Sequence, residues 1–205
     1  AGTAITTGDG NIAIGYQALS GDTQGDRNVA VGIQALLSQN FESSTDVYNT
    51  AVGFAAGASI TTGVQNTLIG GRSGDSLTDA DFNVAIGFEA LAADTLGSKS
   101  LNTAMGYRAG ANVSTGVQNT IVGATALDAC TTGNNNTVVG YGSAGVQTTN
   151  SAVTAIGSEV LKVNTGNENT SIGAFSMGAN TSGHSNVAVG VSALATNTTG
   201  SANVT

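Results

Sequence analysis

The run Gln118-Asn119-Thr120-Ile121-Val122-Gly123 decides the fold, because variants of it return along the whole chain. GNIAIG (10–15), RNVAVG (27–32), YNTAVG (48–53), QNTLIG (65–70), FNVAIG (82–87), LNTAMG (101–106), NNTVVG (135–140), ENTSIG (168–173) and SNVAVG (185–190) are the same phrase. Its Asn recurs as Asn11, Asn28, Asn49, Asn66, Asn83, Asn102, Asn119, Asn136, Asn169, Asn186 and Asn203. As far as Asn136 the steps are 17, 21, 17, 17, 19, 17 and 17; Val153 then holds the Asn slot, and the steps continue 17, 16, 17 and 17. The period is therefore 17, with insertions before Asn49 and Asn102. A fixed internal period of this length is the signature of a stacked-repeat architecture.

Each slot has a character. Four residues after the Asn slot comes Gly, as Gly15, Gly32, Gly53, Gly70, Gly87, Gly106, Gly123, Gly140, Gly157, Gly173 and Gly190. Three after it is a larger apolar residue, such as Ile14, Val52, Met105 or Val189, and two after it is most often Ala. Ahead of the Asn lies a turn phrase, as in Thr61-Thr62-Gly63 and Thr131-Thr132-Gly133.

Alternate residues of a strand point to opposite faces, so the Ile/Val slot and the Ala slot face apart. A strand this short buries a face only by stacking on its copy in the next coil, about 4.8 Å away. The expectation is an all-β parallel β-solenoid, or β-roll, of 17-residue coils: one repeat domain over residues 1–205, about eleven complete coils, cut from a longer fibre protein. The Ile/Val slot is expected inside, the Asn side chains to form a coil-to-coil ladder, and the Gly to turn corners with positive φ or close backbone approach. The Ala slot is expected against a neighbouring chain, and the insertions around FESSTD and TLGSK are expected to loop outward.

Composition agrees with this. The chain has 30 Gly, no Pro and no Trp, and 9% of its residues are charged against about 25% in ordinary domains. Pro would delete ladder donors, so its absence suits stacked strands. Five scattered bases against 13 acids exclude nucleic acid as a partner, since phosphate neutralisation needs clustered Lys and Arg. No apolar run approaches the length of a membrane span, so no membrane insertion is expected. One cysteine, Cys130, excludes an intrachain disulfide.

The recurring NTAVG-x-x-AL-x-x-NTTG-x-x-N phrase resembles the repeats of bacteriophage tail fibres. It is also similar to the NSVAIG repeats in head domains of YadA-type trimeric autotransporter adhesins. The likeness extends from Asn11 to Asn203, and a period of 17 rather than the shorter adhesin repeat favours the tail-fibre relation. It implies a homotrimeric, left-handed, extracellular β-roll on a virion or cell surface, whose partners are its own copies and a host receptor or glycan. The implied function is a tail-fibre shaft or receptor-contacting segment. The alternatives are a surface adhesin head and, as an enzyme, a glycan-cleaving spike.

No catalytic, cofactor or metal residues are assigned. His184 lies in a turn and reads as solvated. Asp79, Asp81, Glu89, Glu159 and Glu168 are the carboxylates a glycan-cleaving pair would draw on, but Glu89 and Glu159 fall in an outward stripe with Gln17, Gln34, Arg72 and Arg108. The aromatics after the corner Gly (Tyr16, Phe54, Phe88, Tyr107, Tyr141) could stack on sugars, and read first as packing residues. GDGN and GDTQGD are oxygen-rich but lack calcium-loop spacing. Thr columns before the Asn raise ice binding, against which stands the alternation of adjacent side chains.

Overall fold

A computed structural model describes residues 1–95 and 99–205, and they divide into two compact units, Ala1–Leu101 and Asn102–Thr205. Both are parallel β-solenoids, and among the described residues there is no helix.

In the first unit, β1 (Ile12–Ile14), β3 (Val29–Val31), β5 (Thr50–Val52), β6 (Thr67–Ile69) and β7 (Val84–Ile86) pair in that order, all parallel. Ile12 stands against Val29, Val29 against Thr50 and Thr50 against Thr67, so the insertion before Asn49 leaves the register intact. In the second unit β8 (Thr103–Met105), β9 (Thr120–Val122), β10 (Thr137–Val139), β11 (Thr154–Ile156), β12 (Thr170–Ile172) and β13 (Val187–Val189) pair likewise. The 16-residue step is absorbed outside the strands, where Thr154 still meets Thr170.

The first insertion is partly an outward loop. Glu42, Ser43 and Ser44 are exposed, while Phe41 and Val47 are buried. The loop adds a two-residue parallel sheet between β2 (Gly25–Asp26) and β4 (Thr45–Asp46). Arg27 forms an ion pair with Asp46, and its guanidinium lies 5.8 Å from the Tyr48 ring centre. The second insertion falls on residues 96–98, outside the described residues.

One expectation is reversed. The Ala slot, not the Ile/Val slot, fills the core: Ala30, Ala51, Leu68 and Ala85 in the first unit, and Ala104, Ile121, Val138, Ala155, Ser171 and Ala188 in the second, are fully buried. The larger residues point out, with Ile14 60%, Ile69 39%, Met105 41% and Val189 58% exposed. The reason is the small cross-section of the coil. Its interior already holds the Asn, a buried small residue three after the corner Gly (Ala18, Ala35, Ala56, Ser73, Ala90) and a Leu such as Leu19, Leu36 or Leu91. What remains opposite the strand is mostly a methyl-sized space, and β-branched side chains suit the open pleated face.

The turns have an uncommon construction. Besides the corner glycines (φ +121° to +142°), residues in three further slots adopt the left-handed region, for example Gln65, Arg72 and Leu91 at φ +58°, +56° and +48°. At Gly70 (φ +131°) an added Cβ would stand 2.6 Å from the Gly87 carbonyl carbon, so conformation and close coil stacking both demand glycine there.

Candidate functional site

The most regular polar feature is internal. Asn66 shows its geometry: its Nδ2 donates across the coil to the Ala80 carbonyl (2.8 Å) and to Asn49 Oδ1 (3.2 Å), and its Oδ1 accepts the Asn83 backbone N–H at 2.9 Å. Asn28 Nδ2 likewise donates to Asn11 Oδ1, and in the second unit Asn119 repeats the pattern on Asn102 and Asn136 on Asn119. Asn49 instead reaches Asn28 Oδ1 through its backbone N–H and gives its Nδ2 to Gln39 Oε1 (2.9 Å) and the Gly63 carbonyl (2.7 Å). Asn169, Asn186 and Asn203 continue it beyond the gap. Apart from the end residues Asn11 and Asn203, these side chains are shut from solvent, and most close their own coil while gripping the neighbouring one. Val153 offers no amide, though its N–H still donates to Asn136 Oδ1 (3.0 Å). Asn164, from another core position, takes over by accepting Asn169 Nδ2 at 3.2 Å.

A second ladder, not foreseen from the sequence, runs two residues before the Asn. The backbone N–H of Asp9 donates to Asp26 Oδ1 (2.7 Å), Val64 to Asp81 Oδ1 (2.8 Å), Val117 to Asn134 Oδ1 (2.8 Å), Asn134 to Ser151 Oγ (3.0 Å) and Ser151 to Asn167 Oδ1 (3.0 Å). The residue types vary, which hid it; the shared signal is a short side chain able to accept.

The oxygen-rich N-terminal loops are committed within the protein. Asp22 is fully buried and accepts from Gly25 N–H, Gln39 Nε2 and Phe41 N–H. Asp26 takes the Asp9 N–H and the Ser44 hydroxyl, which hold its carboxyl below the usual aspartate range. Among the described residues no three His, Cys, Asp or Glu side chains converge as a metal site.

The carboxylates weighed as catalytic are also engaged. Glu89 meets Arg72 (3.4 Å), as register alone places them in adjacent coils, and Glu159 meets Lys162 (3.1 Å). Asp79 accepts the Thr78 hydroxyl (2.9 Å), Asp81 the Val64 amide and Glu168 the Ser185 hydroxyl (3.0 Å). His184 Nδ1 lies 3.3 Å from that same Ser185 Oγ, exposed, so the serine sits between base and acid rather than at the end of a relay. The Thr column five before the Asn spends hydroxyls on carbonyls of the next coil, as Thr61 does on Thr78 (3.1 Å) and Thr131 on Thr148 (3.0 Å). Burial raises the Cys130 thiol above its ordinary value, which disfavours the reactive thiolate.

What faces solvent in quantity is the sheet. In the first unit the outward strand positions are Ile12, Val29, Thr50, Thr67 and Val84 beside Ile14, Val31, Val52, Ile69 and Ile86. In the second they are Thr103, Thr120, Thr137, Thr154, Thr170 and Val187 beside Met105, Val122, Val139, Ile156, Ile172 and Val189. None carries a charge. Beyond the corner stand the aromatic rings of Tyr16, Phe54, Phe88, Tyr107 and Tyr141, each about half exposed or more.

Comparison with family models, with curated proteins and with solved structures finds no match. Among the described residues no helix is long and apolar enough to cross a membrane.

Proposed function

We infer that the chain is a non-enzymatic segment of a homo-oligomeric extracellular fibre of the tail-fibre kind, which attaches its bearer to a host surface. The observation that carries this reading is the uncharged outward sheet face, with its continuous Ile/Val/Met column repeated coil after coil. Contiguous apolar surface of this kind marks an interaction site. The occupant that matches it over many coils is a second copy of the same chain, because only a body with the same coil spacing meets every ridge in register. A trimer, as the repeat's resemblance implies, closes three such faces around one axis. The attachment role rests on that resemblance, and the engaged state of the carboxylates supports a binding rather than a cleaving fibre.

The experiment is sedimentation of the full chain at micromolar concentration, together with adhesion of labelled chain to host bacteria and to their isolated polysaccharide. A defined oligomer that adheres without shortening the polysaccharide is expected. A monodisperse monomer overturns the fibre assignment, and release of oligosaccharide overturns the non-enzymatic one.

A further inference from the structure

One notch on the second unit differs from the rest of the surface. The position two after the corner Gly carries a side chain in most coils (Gln17, Gln34, Arg72, Glu89, Arg108, Thr125, Glu159), but at residue 142 it is Gly. Three residues on, where Asp75, Asp128 and Lys162 stand in some coils and Ala or Gly178 in others, there is Gly145, so that only this coil has Gly in both slots. Neither glycine is imposed by the backbone. Gly142 has φ +59°, yet Glu89, Arg108, Thr125 and Glu159 occupy its slot at φ +53°, +53°, +52° and +53°, and Gly145 lies outside the left-handed region. Nor does packing impose them. A Cβ on Gly142 would meet only Glu159 Cγ, at 3.8 Å; one on Gly145 would press on the Gly142 carbonyl oxygen at 3.3 Å, in a slot that Asp75, Asp128 and Lys162 fill in other coils. Their effect is to remove two side chains and open a hollow of about 240 Å³.

The hollow has a defined lining. The previous coil supplies Thr125 and Asp128 on one side, and the next supplies Glu159 and Lys162 on the other. Tyr141, 61% exposed, and Val146 flank the glycines on their own coil. The floor is fixed by the ladder: Gly142 N–H donates to Ala124 O (3.1 Å), and Glu159 N–H to Tyr141 O (2.9 Å). Behind it Ser143 and Ala144 are fully buried. Lys162 Nζ and Glu159 Oε2 pair at 3.1 Å, and burial raises the Asp128 carboxyl above its ordinary value against the opposing charge of Arg108.

We propose that this notch, bounded by Tyr141, Asp128, Glu159 and Lys162 over Gly142 and Gly145, binds one neutral pyranose unit of a surface polysaccharide. The chemistry fits on three counts. An exposed aromatic ring offers an apolar face for the C–H side of a sugar. Carboxylates accept hydroxyl hydrogens while an ammonium donates to ring or hydroxyl oxygens, and the mixed signs favour an uncharged ligand. The volume lies below the 300–1,000 Å³ or so of drug-sized pockets, which suits a single ring. One such open contact is weak, and its repetition on each copy of an oligomer supplies the avidity attachment needs. The inference thus rests on the attachment reading and names the ligand class for it.

The test is saturation-transfer NMR on the full chain with the methyl glycosides of glucose, galactose, mannose and N-acetylglucosamine at millimolar concentration. Transfer to the ring C–H protons of at least one is expected. It should fall about tenfold or more in Tyr141→Ala and in Gly142→Gln, the latter copying the residue Gln34 places in the same slot. Tyr16→Ala, an exposed ring on the other unit, should leave it unchanged, with circular dichroism confirming the fold of all three. No transfer from any sugar, or transfer indifferent to both notch variants, overturns the proposal. Cell adhesion measured in parallel separates the two readings. Adhesion that survives Gly142→Gln overturns the notch as the attachment contact and leaves attachment standing. Sugar transfer without adhesion of the unaltered chain sinks attachment and leaves the notch.

Discussion

Gly57 and Ile60 share one place in the core: a Cβ on Gly57 would stand 3.0 Å from Ile60 Cδ1 and 2.7 Å from Leu68 Cδ1. The same division of volume runs through the chain. Where the first position is large, the one three residues on is smaller or polar: Leu19 with Asp22, Leu36 with Gln39, Leu91 with Asp94, Leu127 with Cys130, Leu161 with Asn164, Met177 with Asn180. Where the first is Gly, the second is large: Gly57 with Ile60, Gly74 with Leu77, Gly110 with Val113. The two positions thus trade bulk within a narrow interior, as close packing favours.

Gly57→Leu should therefore overpack the coil and cost about 1–3 kcal/mol. The backbone is not the obstacle, since Leu36 and Leu91 hold φ +50° and +48° in this slot, near the +59° of Gly57. Adding Ile60→Asn should recover the part of the loss that comes from Ile60, while the contact with Leu68 remains. Asn180 and Asn197, at the same spacing, donate to the carbonyls of Gly183 (2.8 Å) and Gly200 (3.0 Å), and Gly63 is placed to accept likewise. Denaturant midpoints of the two single variants and the double decide it, and additive losses would refute volume sharing.

Asn66→Ala should cost about 2–4 kcal/mol, because it strands the buried carbonyl of Ala80 and the amide of Asn83 together. Thermal unfolding followed by far-ultraviolet dichroism measures this. The natural gap at Val153 sets the contrast: there Asn164 stands in, whereas among the described residues only Asn66 donates to Ala80 O. A loss below about 1 kcal/mol would show the ladder to be ornamental.

These two cases show what a sequence of this kind discloses. The period, the strands and the coil register were legible because Asn and Gly recur at fixed steps, and both types have few alternatives at a buried amide ladder and a positive-φ corner. The direction of the strand was not. Alternation separates Ala from Val without saying which lies inside, and the usual preference for the larger residue fails where Leu36 or Ile60 already fills a narrow interior. The ladder of Asp26, Asp81, Asn134 and Ser151 was hidden by its mixed residue types, and the Tyr141 notch by lying across three coils.

Acid should weaken the first unit through Asp26. The Asp9 amide, then the Ser44 hydroxyl, hold its folded-state pKa below the value of about 3.9 of an unfolded chain. A depressed carboxylate stabilises fully above the unfolded value and loses that contribution as pH falls through the folded one. The loss should begin near about pH 5 and be complete only below the folded pKa. Asp26→Asn should lower stability at neutral pH and flatten this acid slope. An unchanged slope in the variant would place the acid sensitivity elsewhere.

The outward sheet face yields the sharpest test of assembly. Val52 and Val139 occupy equivalent outward strand positions on the two units, and neither lies among the buried core residues. Glutamate at either half-buried site can still turn its carboxylate to water in an isolated chain, so Val52→Glu with Val139→Glu should cost the monomer about 1 kcal/mol per site. In an oligomer closed through these faces the same carboxylates enter an apolar contact without a partner, at a cost of several kcal/mol per copy. The double variant should sediment as a monomer with an unaltered dichroism spectrum, where the parent is expected to sediment as an oligomer. Ala104→Glu, at a fully buried position, should instead unfold the second unit, which distinguishes loss of contact from loss of fold. If the double variant keeps the parent's sedimentation coefficient, the copies meet through another surface. The half-exposed rings of Phe54, Phe88 and Tyr107 beyond the corner glycines would then be the next to charge.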